Sequence, residues 1–417
     1  MTTLSITQAG RYYLCFALSF FVLVSVTFEG SYNLASLLIL AGYILFFSKT
    51  VRQQINLSRS EKLLILIAIL YVLSFIMEVV LHGVKPRILD APAKVLLLLP
   101  ALLLCNALRP GRQQLIYSFM FSAVLLLMQS VYEKYYLGVA RVNGDVNAIQ
   151  YGAIAIAIGA AGIALCATHS TQSRRDMTIY LLCCLLCCGA IFAGILSQSR
   201  GSMIAIPLLA LCLIVLQVHK FKLSLKKTGL VIIACSLLAG IALSLNSSAI
   251  NRLSQAISEF SAHDSQAKTS TSIRLNLWQI AAETAATSPI IGVGKDRLIE
   301  YKTQQADKGR FSESVKRFDS SHNAYMNTVA RRGLIGLVIL CAFLWVPVYI
   351  AASAIRRGST EQQPYAYALL CFGLVFAIAN LTQDMIFLNN GIIMYTGLLI
   401  ILSQMLFQVQ SRPSAPG

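Results

Sequence analysis

His322 is the residue of this chain whose type and setting best suit acid–base chemistry. It lies in Ser320-Ser321-His322-Asn323-Ala324-Tyr325, directly before an apolar run, and the remaining histidines have no comparable cluster leading into a run. Ser320 or Ser321 is a good N-cap, so we predict a helix that runs from His322 into the apolar run. There the helix dipole disfavours imidazolium, and a neutral imidazole can accept a proton as a general base. The alternative is a histidine that only caps or hydrogen-bonds at a membrane interface.

Two arginines have settings suited to phosphate. Arg200 lies in Ser197-Gln198-Ser199-Arg200-Gly201 at the end of an apolar run, and an arginine held at membrane depth is costly enough to suggest a function. Arg274 lies one turn before Trp278 on a predicted helix, so the two side chains project to the same side. A guanidinium can bind phosphate oxygens bidentately. The alternative for Arg200 is snorkelling to lipid headgroups.

Further polar residues are candidates for binding substrate beside these arginines. Asp384 lies toward the end of an apolar run without a neutralising neighbour in sequence, so we expect it to pair with Arg200 or Arg274. Asn143 and Asn147 stand at the entry to another run, where amides can cap a helix or bind sugar hydroxyls.

Three other charged residues near the ends of runs have simpler interpretations. Glu78 is expected to pair with Lys85 or Arg87 of the loop that follows it. Arg331 and Arg332 are interpreted as anchors at the membrane interface.

The elements that must position these residues are membrane helices. The chain is 57% hydrophobic, 12% charged and has a mean hydropathy of +0.69, far from the composition of soluble domains. Twelve apolar runs have the length of a membrane-spanning helix. They begin near Tyr12, Asn33, Leu63, Lys94, Leu115, Gln150, Thr178, Ser202, Gly229, Leu334, Ala366 and Gly391. We therefore predict an all-α, multi-pass membrane protein, and we interpret the first run as a retained helix and not a signal peptide.

One long polar segment interrupts these runs. We divide the chain into a nine-helix membrane region at 1–245, a large helical loop domain at 246–333, and a three-helix membrane region with a short tail at 334–417. In the loop we predict an amphipathic helix over Asn251 to Phe260 and a second helix capped by Ser272 and ended by Ser288-Pro289. The glycine turn Ile291 to Lys295 is a weak candidate for a phosphate cradle.

The distribution of Lys and Arg predicts the orientation. The short loops are richest in basic residues on the side of the N-terminus, which the positive-inside rule assigns to the cytoplasm. The C-terminus then returns to the cytoplasm and the large loop lies outside. The net charge of +17 is mainly this asymmetry, so it gives no reason to expect nucleic-acid binding.

Cysteines and carboxylates give no sign of a metal site or a cofactor. The group Cys183-Cys184-Leu185-Leu186-Cys187-Cys188 has ligand-like spacing, but cysteine in an apolar helix usually acts as a small hydrophobe. The triplets Asp-X-Asp, Asp-X-Glu and Glu-X-Asp and the pattern His-X-X-X-His are missing from the sequence. We therefore predict neither metal nor cofactor, so that arginines would have to stabilise a departing phosphate.

The residues described so far resemble the O-antigen ligase family. The resemblance rests on Ser197 to Gly201 at a helix end and on the large loop with Arg274, Trp278, Pro289, Gly292, Gly294 and Ser321-His322-Asn323. It implies a metal-independent, inverting glycosyltransferase of the GT-C membrane type. Such a ligase transfers polysaccharide from undecaprenyl pyrophosphate to a hydroxyl of a lipid A core sugar, completing lipopolysaccharide at the periplasmic face of the bacterial inner membrane.

The resemblance also implies roles for single residues. Arg200 and Arg274 would bind the pyrophosphate, His322 would activate the acceptor hydroxyl, and Asp384 would match an acidic position of the family. Lys94 fills a place where the family often has a basic residue. Ser199, Trp278, Asn323, Asn143 and Asn147 complete the predicted substrate site, with membrane lipids around it.

Three other functions remain open from the sequence. An O-antigen polymerase uses the same donor with a second lipid-linked glycan as acceptor, and a protein O-oligosaccharyltransferase of the same group uses a protein. The single large loop favours the ligase over the polymerase. A transporter is a different class, but transporters usually show repeated halves with broken helices, and this chain has no internal repeat.

Overall fold

The structure is a computed structural model that describes residues 5–24, 27–28, 30–144, 146–169, 171–222 and 269–410, with Arg200 described by its backbone alone. The described residues form α-helices and short helical turns, without a β-strand. The α-helices are α1 (Ile6–Val24), α2 (Ser31–Phe46), α3 (Lys49–Gln53), α4 (Arg59–His82), α5 (Asp90–Leu108), α6 (Arg112–Val131), α7 (Ala148–Cys166), α8 (Arg174–Leu196), α9 (Arg200–Met203), α10 (Ile206–Phe221), α11 (Ser270–Thr287), α12 (Gly294–Asp307), α13 (Ala324–Arg357), α14 (Gln363–Ala379) and α15 (Asn389–Gln410).

The architecture confirms a multi-pass, all-helical protein. Within the described ranges, nine helical segments are long and apolar enough to cross a membrane, and α2 and α14 are shorter apolar helices. These eleven elements correspond to eleven of the predicted runs. The run that begins near Gly229 lies outside the described residues, so the count of twelve remains a prediction.

Two helices form the centre of the bundle. The spans of α7 and α15 are each 94% buried, whereas the other spans are 28–50% buried. Helix α7 is built from Ala, Gly and Ile, and small residues let neighbouring backbones approach closely. At Gly159, a Cβ atom would lie 2.7 Å from the carbonyl oxygen of Cys187 on α8. These two helices are therefore surrounded by other helices of the bundle, whereas the remaining spans leave much of their apolar surface open to lipid.

The described part of the large loop, residues 269–323, forms a compact unit that we call the polar lobe. Its core joins α11, α12 and the turn after them through Leu277, Ile280, Leu298, Phe311 and Val315. Helix α11 ends at Thr287 as predicted, but its N-cap is Thr269, whose hydroxyl accepts the Ser272 N–H, so the prediction of Ser272 as the cap was wrong. The amphipathic helix predicted at 251–260 lies outside the described residues.

A break in α13 connects the polar lobe to the bundle. Gly333 has φ +64°, and three backbone hydrogen bonds join the helix around it to the segment between α11 and α12, one of them from the Ile335 N–H to the Ile290 carbonyl at 3.3 Å. The Val293 N–H donates to the Ala330 carbonyl at 2.9 Å, and the Leu334 N–H donates to the Pro289 carbonyl at 2.8 Å. Gly292 packs so closely that a Cβ atom there would lie 2.3 Å from the carbonyl carbon of Arg331. The predicted glycine turn therefore docks against a helix break.

The helix ends define two faces of the bundle. The face where α14 ends, α15 begins and α13 receives the polar lobe is called the lobe face. Helices α14 and α15 reach the opposite face at Gln363 and Gln410.

Candidate functional site

His322 lies just before α13 and not inside it. The N-cap is Asn323, whose Oδ1 accepts the backbone N–H groups of Tyr325 and Met326 at 3.0 and 3.1 Å. Asparagine caps as well as serine, and using it moves the helix start past His322. The prediction that Ser320 or Ser321 caps the helix was therefore wrong, as was the placement of His322 in its first turn. His322 instead has φ +50°, in the left-handed region.

Gln383 and Asp384, which are adjacent in sequence, hydrogen-bond to the ring and to the backbone of His322, respectively. Its backbone N–H donates to Asp384 Oδ2 at 3.1 Å, and its ring Nδ1 lies 2.8 Å from Gln383 Oε1. Because an amide oxygen can only accept, Nδ1 carries the hydrogen, and in the neutral ring Nε2 keeps its lone pair. The edge of the ring also contacts Phe318, with centroids 4.8 Å apart. The imidazole is thus oriented for proton acceptance at Nε2.

Gln383 and Asp384 belong to a rigid turn, residues 380–388, that joins α14 to α15. Asn380 shapes it: its carbonyl accepts the Ala324 N–H at 2.8 Å and its Oδ1 accepts the Ile386 N–H. The Tyr71 hydroxyl donates to the Ile386 carbonyl from α4. Asp384 therefore stands in a loop and not in the helical run where it was predicted. Burial raises the pKa of the Asp384 carboxyl above its ordinary value, while the hydrogen bond from the His322 backbone acts in the opposite direction.

A small pocket adjoins this turn and contains two arginines. We call it the arginine pocket; its volume is about 80 Å³, and it is lined by Arg141, Ile149, Gln198, Ser199, Gly201, Ser270, Arg274 and Thr382. Gly201 is needed for this packing, because a Cβ atom there would lie 1.7 Å from the Thr382 hydroxyl oxygen. Thr382 lines the pocket, and Gln383, the next residue in the chain, hydrogen-bonds to the His322 ring, so one short turn contributes to both features.

The predicted motif around Arg200 forms one wall of the arginine pocket. Helix α8 ends at Leu196, Gln198 has φ +53°, and α9 begins at Arg200. Ser199 and Gly201, on either side of Arg200, both line the pocket. The Ser199 hydroxyl is buried and has no hydrogen-bond partner within the described ranges. The motif therefore brings the backbone of Arg200 to the pocket wall.

Arg141 is the site residue that the sequence reasoning missed. Its Nε donates to the Ser197 carbonyl at 3.2 Å, which places the guanidinium beside the Arg200 motif. The signal was present, because the loop from Glu133 to Asn147 is polar and charged, but only its amides were chosen. Asn147 accepts the Ile149 N–H at 2.8 Å as the N-cap of α7.

Asn143 and Trp278 do not line the arginine pocket, and among the described residues no hydrogen bond joins either side chain to it. The Asn143 side chain is exposed, and its backbone N–H donates to Glu133 Oε2 at 2.9 Å. Trp278 lies one turn from Arg274 on α11 and is partly buried.

A larger cavity of about 630 Å³ lies on the other side of the 380–388 turn. It is lined by Phe75, Val84, Lys85, Arg87, Ile88, Asp90, Ala91, Lys295, Asp296, Asp319, Arg331, Phe387, Leu388 and Asn389. We call it the mixed-charge cavity. Lys94 lies at its edge, where its Nζ contacts Asp90 Oδ1 at 2.7 Å and Asn389 Oδ1 at 2.9 Å. The structure therefore separates Lys94 from the arginine pocket and pairs it with Asp90 and Asn389, two residues that line the mixed-charge cavity.

Arg331, which lines this cavity, and the adjacent Arg332 do not have the positions that the sequence predicted. Arg331 forms a bidentate pair with Glu78, at 2.9 and 3.1 Å, and both side chains are buried. Arg332 is 1% exposed, with its guanidinium carbon 3.7 Å from the centroid of the Phe75 ring. These arginines are thus not interface anchors, and Glu78 pairs with neither Lys85 nor Arg87. The break at Gly333 explains the difference, because it brings this turn of α13 against α4.

In the part of the chain that the structure describes, no group of three or more His, Cys, Asp or Glu side chains is arranged to hold a metal ion. Cys183, Cys184, Cys187 and Cys188 lie on α8, and none of them forms a disulfide within the described residues.

Comparison with known proteins relates the chain to one family. Residues 182–341 match the family model described as O-antigen ligase. This range contains Arg200, Arg274 and His322, whereas Arg141 and Asp384 lie outside it. An uncharacterized protein of Haemophilus influenzae is 23% identical over 383 residues, covering 90% of this chain and 94% of that protein. The family match confirms the resemblance that the motifs indicated.

Proposed function

We propose that this chain, which carries an O-antigen ligase family region at residues 182–341, is an inverting glycosyltransferase of the GT-C membrane type. It would transfer polysaccharide from undecaprenyl pyrophosphate to a hydroxyl of a lipid A core sugar, without a metal ion. The observation that carries this proposal is the position of His322. Gln383 orients its ring, and the neighbouring Thr382 lines the arginine pocket.

The arginine pocket suits the pyrophosphate of the donor. Arg141 and Arg274 line it, and Arg200 starts α9 at its wall. Guanidinium groups match phosphate oxygens and remain charged at every physiological pH. Donors fixed in advance around a leaving group stabilise the charge that develops on it, which is the role a divalent cation has in other transferases. The pocket forms where α8 ends and α9 begins, and the headgroup of a lipid carrier would lie at the ends of such membrane helices.

The mixed-charge cavity suits the acceptor. Sugars are bound by carboxylates, amides and aromatic rings together, and Asp90, Asn389 and Phe387 supply one of each. Asp319 and Phe387 on its wall are each three residues from His322 and Asp384, respectively. Donor and acceptor would therefore approach the imidazole from opposite sides of the 380–388 turn.

The reaction follows from this placement. The acceptor hydroxyl oxygen attacks the anomeric carbon of the donor sugar, and its proton moves to Nε2 of His322. The bond between the anomeric carbon and the pyrophosphate oxygen breaks, and its electron pair leaves on the pyrophosphate, whose charge the arginines stabilise. Attack from the face opposite to the leaving group inverts the anomeric configuration. The imidazolium then releases its proton to water.

The proposed location follows the charge distribution. The lobe face would be periplasmic, the N- and C-termini would be cytoplasmic, and the membrane would be the bacterial inner membrane. Membrane lipids surround the apolar helices, and nucleic acid has no part in the reaction.

The test is glycan transfer in vitro. Purified full-length protein is mixed with undecaprenyl-pyrophosphate-linked glycan and lipid A core in the presence of EDTA, and products are separated by mass. We expect glycan on the core with wild type and with the surface control His219→Ala, and a loss of about 10² to 10⁴-fold with His322→Ala. Longer lipid-linked glycan with an unmodified core would mean a polymerase, and glycan on an added protein would mean an oligosaccharyltransferase. Binding of donor without any glycan product would refute the proposal.

A further inference from the structure

A third polar cavity opens at the opposite face of the bundle from His322. Its volume is about 390 Å³, within the roughly 300–1,000 Å³ range of small-molecule sites, and we call it the basal cavity. It is lined by Arg11, Arg109, Pro110, Gly111, Arg112, Gln113, Tyr365 and Gln408. The start of α14 and the end of α15 lie here, whereas their other ends lie at the lobe face. The proposed glycosyl transfer makes no use of this cavity.

The three arginines of the basal cavity come from separate elements. Arg11 is on α1, Arg109 ends α5 and Arg112 begins α6. Arg109 has φ +48°, a left-handed conformation that is uncommon for residues other than glycine, and it makes the turn that carries both arginines to the cavity. The acidic neighbour is Glu361, whose Oε1 is 3.9 Å from Arg112 Nη1 and whose side chain is 59% exposed.

Arg112 is placed to bind an anion. Its guanidinium stacks over the Tyr365 ring at 5.4 Å, and its side chain is 17% exposed. Its Nη1 atom is buried and has no hydrogen-bond partner among the residues that the structure describes. A buried guanidinium N–H without an acceptor is costly, so an anion that supplies the acceptor would be bound favourably.

Two helix N-termini add to the positive potential. Helix α6 starts from Gly111 and α14 starts from Gln362, and neither residue supplies a side-chain cap. The first-turn N–H groups and the helix dipole attract phosphate at such an end. Arginines that merely follow the positive-inside rule would project into solvent, as the exposed Arg174 and Arg175 at the start of α8 do. Arg11 and Arg109 are exposed as well, but here three arginines line one cavity, and the Arg112 side chain is only 17% exposed.

We propose that the basal cavity binds a phosphate-bearing anion, either the headgroup of an anionic lipid or free phosphate. Basic pockets between membrane helices are known sites for anionic headgroups. The bound phosphate would lie between the guanidiniums of Arg109 and Arg112, with Tyr365 as one wall. The site is independent of the glycosyl transfer proposed above, so either proposal can fail while the other stands.

The test compares three ligands on detergent-solubilised full-length protein. Short-chain phosphatidylglycerol, short-chain phosphatidylcholine and inorganic phosphate are titrated, and binding is measured by native mass spectrometry and by the shift in melting temperature. We expect wild type to bind phosphatidylglycerol at least about tenfold more tightly than phosphatidylcholine, because only the former carries a net charge. Binding of inorganic phosphate as well would show that the phosphate group suffices, and binding of the lipid alone would identify the headgroup as the source.

Matched variants locate the site. Arg112→Gln and Arg109→Gln should each weaken binding by about tenfold or more, since each removes a charge-assisted contact. Arg174→Gln is the control, because Arg174 is also the first residue of a membrane helix at this face but lines no part of the basal cavity. Arg109 is exposed, so its variant is informative even if Arg112→Gln fails to fold. Equal phosphatidylglycerol binding by wild type and all variants, or no preference for the anionic ligands, would overturn the proposal.

Discussion

Replacing Gln383 by leucine isolates the contribution of imidazole orientation to transfer. Gln383 is 6% exposed, and its Oε1 accepts from Nδ1 of His322 at 2.8 Å. Leucine has a similar volume but no acceptor, so the Nδ1–H loses its partner. Leaving such a donor unpaired costs about 1–3 kcal/mol, and the ring can avoid this cost by rotating or by moving its hydrogen to Nε2. After either change, no lone pair of the imidazole ring faces the hydroxyl of the acceptor sugar.

The rate effect follows from that energy. If the productive orientation becomes less favourable by about 1–3 kcal/mol, transfer slows by about 5- to 150-fold. His322→Ala should cost more, about 10² to 10⁴-fold, because the base itself is lost. Gln383→Leu should therefore be slower than wild type and faster than His322→Ala. The protein should remain folded, because Asn380 and Tyr71 continue to hold the turn.

The assay is a double-mutant cycle on transfer rates in vitro. If Gln383 acts through His322, Gln383→Leu combined with His322→Ala should be no slower than His322→Ala alone. Gln304→Leu is the control, since Gln304 is an exposed glutamine of the polar lobe that bonds only one turn away, to Glu300. The reasoning is refuted if Gln383→Leu slows transfer by the same factor in the His322→Ala protein as in the wild-type protein, because the effect would then be independent of the imidazole.

Three further outcomes are expected. Arg141→Gln should lower the transfer rate by about 10- to 150-fold, because one charge-assisted hydrogen bond to the leaving group is worth about 1.5–3 kcal/mol. Lys134→Gln, in the same loop, is the control and should leave the rate unchanged. Equal rates for the two variants would show that Arg141 does not belong to the site. Glu78→Gln should destabilise the protein by about 3–5 kcal/mol because it leaves Arg331 buried without its partner, and the melting temperature in detergent measures this; an unchanged value would contradict the assigned pair. Gly292→Ala should lower the melting temperature, because its φ of +72° and the Arg331 backbone 2.3 Å away leave no room for a methyl group, whereas Gly309→Ala meets no atom within 4 Å and should be milder.

The part of α13 just before the break at Gly333 contacts both the polar lobe and the helix bundle. The same short stretch of α13 receives the lobe through Val293, pairs Arg331 with α4, and continues back toward Asn323 and His322. A change in lobe docking would therefore reach the imidazole through one helical segment. Gly292→Ala is expected to lower transfer together with stability, and transfer measured well below the melting temperature separates the two effects.

The all-helical, multi-pass character of the protein was determined by the sequence alone. A chain in lipid must satisfy its backbone polar groups within each segment, so apolar runs of sufficient length become helices whatever their neighbours are. The runs that begin near Leu63, Gln150 and Gly391 accordingly appear as α4, α7 and α15. Local chemistry also singled out His322 and the residues around Arg200, because a costly polar group at the end of an apolar run is visible in the sequence.

What only the tertiary structure decided is which of these groups meet. Arg331 pairs with Glu78, 253 residues away, and Arg141 lies beside the Arg200 motif, because helix packing brings distant loops to one face. Asn323, and not a serine, is the N-cap of α13, and His322 is held outside the helix by Gln383 and Asp384 from another turn. Propensity and periodicity act over a few residues, whereas these pairings are selected by packing between elements that the sequence separates by tens to hundreds of positions.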